Sequence, residues 1–157
     1  MDKTLETYLK EHKIEYIEHK HKAVFTVAES TLIKSHKPGL SCKCLFLKDE
    51  KGKFYLLAMN AHKRADMKLL KKELDVEKLH FASEEELKRE LNVTPGSVSI
   101  FAMIYKKNVN LIIDKEVWTE KIVGFHPNIN TSTLEISHEN LEKFLNSLKK
   151  EYKIMEP

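Results

Sequence analysis

A lysine interrupts an apolar run, and few other residues of the chain occupy so chemically demanding a position. The run is Pro38-Gly39-Leu40-Ser41-Cys42-Lys43-Cys44-Leu45-Phe46-Leu47, a Pro-Gly turn feeding what reads as a buried strand. Alternation sets Lys43, Leu45 and Leu47 on one face and Cys42, Cys44 and Phe46 on the other. Both faces are apolar, so neither is a solvent face. Such a lysine either lays its stem on apolar surface with the ammonium in water, or points into a pocket that holds an anion. The second reading needs other groups to converge on it, and two loops offer them. Thr94-Pro95-Gly96-Ser97 can present backbone N–H groups, because glycine lets a ligand come close. Amides of that kind hold a carbonyl or an oxyanion; the plainer reading is a tight turn. Phe125-His126-Pro127-Asn128-Ile129-Asn130 brings an imidazole that can serve as general base, hydrogen-bond donor or metal ligand. A lone histidine before proline is more often structural, and Asn128 and Asn130 more often satisfy turn backbone.

A metal centre would have to draw on His36, Cys42, Cys44 and His126. The Cys-x-Cys spacing lacks a second cysteine pair, and neither H-E-x-x-H nor C-x-x-C occurs, so no zinc motif supports it. No Walker loop, G-x-G-x-x-G or G-x-S-x-G is present, and no cofactor is expected. The two cysteines point the same way from one strand face, which is poor geometry for a mutual disulfide and reads as reduced core thiols.

The elements that must position these residues follow from periodicity. Leu5, Tyr8 and Leu9 predict a helix over the first dozen residues, with Thr4 as a possible cap. Ile14 to His19 alternates like a half-buried strand. Thr26-Val27-Ala28-Glu29 is a capping box that opens a helix to about Ser35, ended by Pro38-Gly39. The Lys43 strand turns through 48–53 into Phe54–Met59, predicting a hairpin. A helix is expected from near Asp66, a short strand at Leu79–Ala82, and a second capping box at Ser83–Glu86. Val98–Ile104, Val109–Asp114, Ile122–Phe125 and Thr131–Ile136 read as strands, with a turn of helix near Trp118. Ser137 caps a last helix carrying Leu141, Phe144, Leu145 and Leu148, and the tail after Tyr152 is expected to fray. The sum is α/β of the α+β kind: one domain over 1–157, a mixed, mostly antiparallel sheet of about seven strands packed by helices.

Composition bounds the rest. Hydrophobic residues are 41% and charged residues 32% of the 157, which fits one globular core rather than a disordered chain. No apolar run has the length of a membrane span and the start is charged and amphipathic, so no membrane role and a cytoplasmic setting are expected. Net charge is +3, too mild to announce a nucleic-acid binder by itself. Basic clusters at His19–Lys22, Lys34–Lys37, His62–Arg64 and Lys106-Lys107 can hold a phosphate backbone if they share a face.

The same places carry a resemblance. His21–Ser30 (HKAVFTVAES), Gly39–Asp49 (GLSCKCLFLKD), Phe81–Glu86 (FASEEE), Val93–Val98 (VTPGSV) and Phe125–Thr133 (FHPNINTST) together resemble the YbaK/ProX family of aminoacyl-tRNA deacylases, most closely its free-standing prolyl-tRNA editing branch. The resemblance covers nearly the whole chain. It implies a single α/β domain with a curved mixed sheet, and hydrolysis of the ester that joins a wrong amino acid to tRNA. It places the family's lysine on Lys43, the glycine of its TPGSV loop on Gly96, and the histidine of its FHPN motif on His126. Two departures stand out: Cys44 where the family has asparagine, and Ile100 where it has proline.

On this reading Lys43 holds a terminal phosphate or the polar end of the substrate, Gly96 N–H with Ser97 orients the ester carbonyl, and His126 positions the 3′ end or the water. Cys44 then shapes the substrate pocket. The expected partners are a misacylated tRNA, by its tRNA(Pro) acceptor end, and prolyl-tRNA synthetase. Alanine is the expected amino acid; cysteine or another small residue, a non-catalytic tRNA-binding homologue, and a zinc hydrolase are the rivals. Oligomeric state is not legible in the sequence.

Overall fold

The computed structural model of the chain describes residues 1–21, 39–105 and 108–156. The expected helix opening at Thr26, His36 and the Lys106-Lys107 cluster lie outside the described residues. Helix α1 (Lys3–Glu11) is capped by Asp2, whose carboxylate accepts the Thr4 N–H, so the cap sits two residues before the expected one. Strand β1 (Ile17–Lys20) follows. Strands β2 (Leu40–Asp49) and β3 (Phe54–Asn60) form the expected antiparallel hairpin. Asp49 closes it by accepting the Lys51 and Lys53 amides and the Tyr55 hydroxyl. Helix α2 (Met67–Leu74) starts from Asp66 as cap. Strand β4 (Leu79–Phe81) leads to α3 (Glu84–Leu91), where Ser83 and Glu86 form the full reciprocal capping box.

The expected strand over Val98–Ile104 is instead a 3-10 segment, Ile100–Tyr105. Ile100 to Met103 are buried on all sides, and Ser99 opens the turn by accepting the Phe101 amide on its hydroxyl and the Ala102 amide on its carbonyl. A short run buried all round has no alternation to distinguish strand from helix. Strand β5 (Val109–Asp114), helix α4 (Lys115–Thr119), strands β6 (Ile122–Phe125) and β7 (Ser132–Ser137), and helix α5 (His138–Ser147) complete the expected order. The tail does not fray: Tyr152–Met155 is a strand, β8, paired parallel to β5.

Among the described residues the sheet is mixed and has eight strands, against about seven expected. Its order is β1-β7-β6-β2-β3-β5-β8, with β4 paired to β2. The β2–β6, β3–β5 and β5–β8 contacts are parallel; β1–β7, β6–β7, β2–β3 and β2–β4 are antiparallel. Both faces of the middle strands are covered. On one, Cys42, Cys44 and Phe46 join Leu5, Leu91, Phe101, Phe125 and Phe144 in the larger core. On the other, Leu47 packs with Tyr55, Leu57, Met59, Leu70 and Ile112, with Leu45 alongside. This two-sided burial is why β2 reads as apolar on both faces.

Candidate active site

Strand β2 is the spine of the site. It runs between β3 and β6, and its alternation sends consecutive side chains to opposite faces. Lys43 lies directly across from Met59 of β3, on the face of the smaller core, and is half-buried. Partial burial pulls its pKa below the ordinary lysine value, and the nearby Arg64 guanidinium pulls it further the same way. Among the described residues no carboxylate pairs with Lys43. Among those residues the side chain is thus a cation within reach of a second cation's charge and without a paired carboxylate.

Register sets the start of β2 against β6, the strand that leads into His126. Parallel pairing sets Leu40 against Val123 and Ser41 against Gly124. Val123 and Phe125 face the larger core, as do Cys42 and Cys44. The ladder ends there, and His126 follows directly on Phe125, the last residue of β6. The His126 ring is fixed from behind: its Nδ1 lies 3.0 Å from the Ser132 carbonyl oxygen. A carbonyl only accepts, so Nδ1 carries the hydrogen and Nε2 holds the lone pair in the neutral ring. His21 stands edge-on to this ring at 6.0 Å and is bonded through Nε2 to the Thr133 hydroxyl at 2.9 Å. Both imidazoles are therefore anchored on β7. Gly124 leaves room for this layer, since a Cβ there would come within 3.2 Å of the Thr133 methyl.

The glycine loop is a type II turn by its chemistry. Pro95 stands at the second position, Gly96 at the third with φ +87°, and the Ser97 N–H donates to the Thr94 carbonyl at 3.0 Å. That bond commits the Ser97 amide to the turn, and the Gly96 N–H is left outside it. Ser97 itself is buried. Val93 and Val98, on either side of the turn, pack into the larger core, the face to which Cys44 rather than Lys43 belongs. Cys44 is 8% exposed. Burial pushes the thiol pKa well up, with Cys42 adding to the rise, so the neutral thiol is the form present at neutral pH. Lys43 thus faces the smaller core, while Cys44 and the residues flanking the glycine loop face the larger one.

Two residues gain interest that their sequence context did not give them. Asn128 adopts φ +64°, is buried, and has no hydrogen-bond partner on either side-chain atom among the described residues. Asparagine tolerates that backbone conformation, so its place in the turn was readable; its burial was not. Arg64 read only as one charge in a basic cluster; its approach to Lys43 depends on how the chain leaves β3. Among the described residues no group of three or more His, Cys, Asp or Glu side chains converges as a metal site would need, and no helix is long and apolar enough to cross a membrane.

The family profile described as the aminoacyl-tRNA editing domain matches residues 21–144. The chain belongs to the aminoacyl-tRNA editing domain family. With the family comes the reaction class, the hydrolysis of an aminoacyl ester on tRNA, and the protein is an aminoacyl-tRNA deacylase. Among curated relatives, the prolyl-tRNA editing protein ProX of Acetoanaerobium sticklandii is 34% identical over 151 residues, spanning 94% of this chain and 92% of its own. Prolyl-tRNA synthetase associated domain-containing protein 1 of Danio rerio is 31% identical over 147 residues, 91% of this chain and 80% of its own. Among solved structures, the hypothetical protein APE2540 superposes with a TM-score of 0.79 at 19% identity, covering 97% of both chains. A candidate trans-editing enzyme for prolyl tRNA synthetase superposes at 0.77 with 15% identity, covering 98% of this chain and 94% of its own. At those identities the structural matches speak for the editing-domain fold.

Proposed function

We propose that this editing-domain protein acts in trans on tRNA(Pro) carrying the wrong amino acid, with alanine as the residue removed. The observation that carries the reading is the half-buried Lys43, a cation with no carboxylate partner among the described residues, on the strand that pairs with β6, at whose end His126 stands. The prolyl-tRNA names of the relatives from Acetoanaerobium sticklandii and Danio rerio support the choice of tRNA. Selectivity supports the choice of amino acid. A synthetase pocket shaped for proline rejects a smaller side chain by only about 1–3 kcal/mol per missing methylene, so a second pocket has to remove the error.

In the reaction, water adds to the ester carbonyl, the tetrahedral adduct collapses, and the ribose 3′-oxygen leaves with a proton. The products are free amino acid and uncharged tRNA. Lys43 holds the polar end of the substrate or the terminal phosphate and His126 positions the 3′ end or the attacking water, whereas the Gly96 N–H, which would orient the carbonyl, belongs to a loop whose flanking residues pack on the opposite, larger-core face of β2. Ser97 closes the glycine turn through its amide, and Cys44 is buried in the larger core. The ribose 2′-hydroxyl stands next to the ester and takes part of the proton transfer, which leaves little acid–base work to the protein. Prolyl-tRNA synthetase, the source of such errors, is the natural partner. Hydrolysis measured across tRNA(Pro) charged with alanine, cysteine, serine and proline tests this. Fast loss of alanine with proline retained is expected. Preference for cysteine moves the assignment to that amino acid, and no hydrolysis of any ester leaves a tRNA-binding homologue.

A further inference from the structure

Met59 links Lys43 to a cavity outside the residues just assigned. The cavity, of about 390 Å³, is lined by Met59, Lys63, Arg64, Asp114, Glu116 and further residues of the β5–α4 corner and the tail. Its charges are mostly accounted for. Lys63 pairs with Glu116 at 2.8 Å, and Glu116 also accepts from the Asn60 amide at 3.1 Å. Lys115 pairs with Glu156 at 3.5 Å, and Asp114 accepts the Glu116 backbone N–H as the cap of α4. Arg64 is exposed at the rim and has no ion pair among the described residues. Lys43, whose cross-strand neighbour Met59 lines the same cavity, has none either. Lys43 and Arg64 are near enough for their like charges to oppose each other, neither has an ion pair among the described residues, and a bound anion relieves both. A guanidinium with its planar fork of donors suits a phosphate group in particular.

We propose that this cavity is a phosphate-binding site, in which Arg64 takes a phosphodiester of the tRNA 3′ strand one step back from the ester that reaches Lys43. The inference rests on the editing reading for the identity of the RNA. It does not rest on it for the presence of the site. Arg64 is a binding residue here, with no part in bond breaking. Its loss weakens association and leaves the bound ester to be hydrolysed as before.

The test reads binding and turnover separately on the full chain. Uncharged tRNA(Pro) is titrated against the wild type, Arg64→Ala and Arg64→Lys at several salt concentrations. Lys153→Ala, on the edge strand β8 and not among the residues that line the cavity, serves as a control of equal charge loss. Arg64→Ala is expected to weaken binding roughly tenfold and to flatten the salt slope by about one phosphate contact, roughly 0.7–0.9 in log–log terms. Arg64→Lys recovers part of both. With misacylated tRNA, Arg64→Ala raises KM by a similar factor, and kcat stays within about twofold. Binding and slope unchanged from the wild type, or changed equally by Lys153→Ala, overturn the proposal. A changed slope in a protein that hydrolyses no ester keeps the phosphate site and sinks the editing reading. Adenosine 5′-monophosphate is the competing probe. Weak, millimolar competition is expected of an RNA-backbone site, and competition as tight as that of tRNA overturns the assignment in favour of a free nucleotide.

Discussion

Lys43 is held where its charge is useful and costly at once. Burial and Arg64 both lower its pKa, so the folded protein binds that proton less tightly than the unfolded chain does. The sign follows: between the depressed folded value and the ordinary 10.5, the unfolded state carries more proton, and stability contributed by this group rises with pH. Activity runs the other way, because the neutral amine no longer holds an anion. Lys43→Met is therefore expected to melt higher than the wild type at neutral pH, with the gap closing as pH approaches 10.5. The same substitution should cut kcat/KM for the misacylated ester by at least about a hundredfold. Paired melts and single-turnover assays across that range check both, and a variant that melts lower at neutral pH contradicts the placement. Cys44 and Ile100 make a different point at this scale. Both depart from the pattern of the resembling family, and they are neighbours in the fold: the Ile100 backbone N–H offsets part of the rise in the Cys44 pKa, which a proline, having no N–H, could not do.

At the scale of elements, the joint between β2 and β6 decides whether the site exists. Gly39 has φ +89°, and a Cβ there would stand 2.6 Å from the Ile122 carbonyl oxygen and 2.8 Å from its side chain. Ile122 begins β6, the strand that delivers His126. Gly39→Ala is expected to cost about 1–3 kcal/mol, and so to lower Tm by roughly 5 °C. It should also reduce deacylation beyond what the lost stability explains, because β6 shifts against Lys43. Thermal melts with activity assayed well below Tm separate the two effects. This joint was half legible in the sequence. The Pro-Gly turn, the apolar β2 run and the Phe125-His126-Pro127 segment all announced themselves through turn chemistry and period. What joins them is a two-residue parallel ladder between segments some eighty positions apart, and no local signal encodes such a pairing. The 98–104 run failed for the opposite reason: its local signal was strong but ambiguous, since full burial erases the period.

The whole molecule closes through a strand that its own sequence barely announces. Tyr152–Met155 is short, polar at alternate places and close to the chain's end, which reads as fraying. Yet β5 offers an open ladder on that side, and Leu111 to Asp114 pair with Tyr152 to Met155 along it. Tyr152 and Ile154 pack on the larger core and Met155 sits in the smaller one, so this strand serves both faces of the sheet. Trp118 of α4 rests against Tyr152 with ring centroids 5.7 Å apart, which ties the tail to the corner lining the Arg64 cavity. Ending the chain after Lys150 would strip that cover and expose the β5 edge, a row of unpaired amides and carbonyls ready to recruit another chain. The truncated protein is expected to lose several degrees of Tm and to form concentration-dependent aggregates. Lys43 and His126, on the far side of β3, should keep their geometry at low temperature, so hydrolysis per folded molecule stays near that of the full chain. Light scattering and active-site titration on the same sample check this. If catalysis fails while the protein remains folded and monomeric, the tail belongs to the site itself, and the sheet couples its edge to its centre more tightly than its pairing implies.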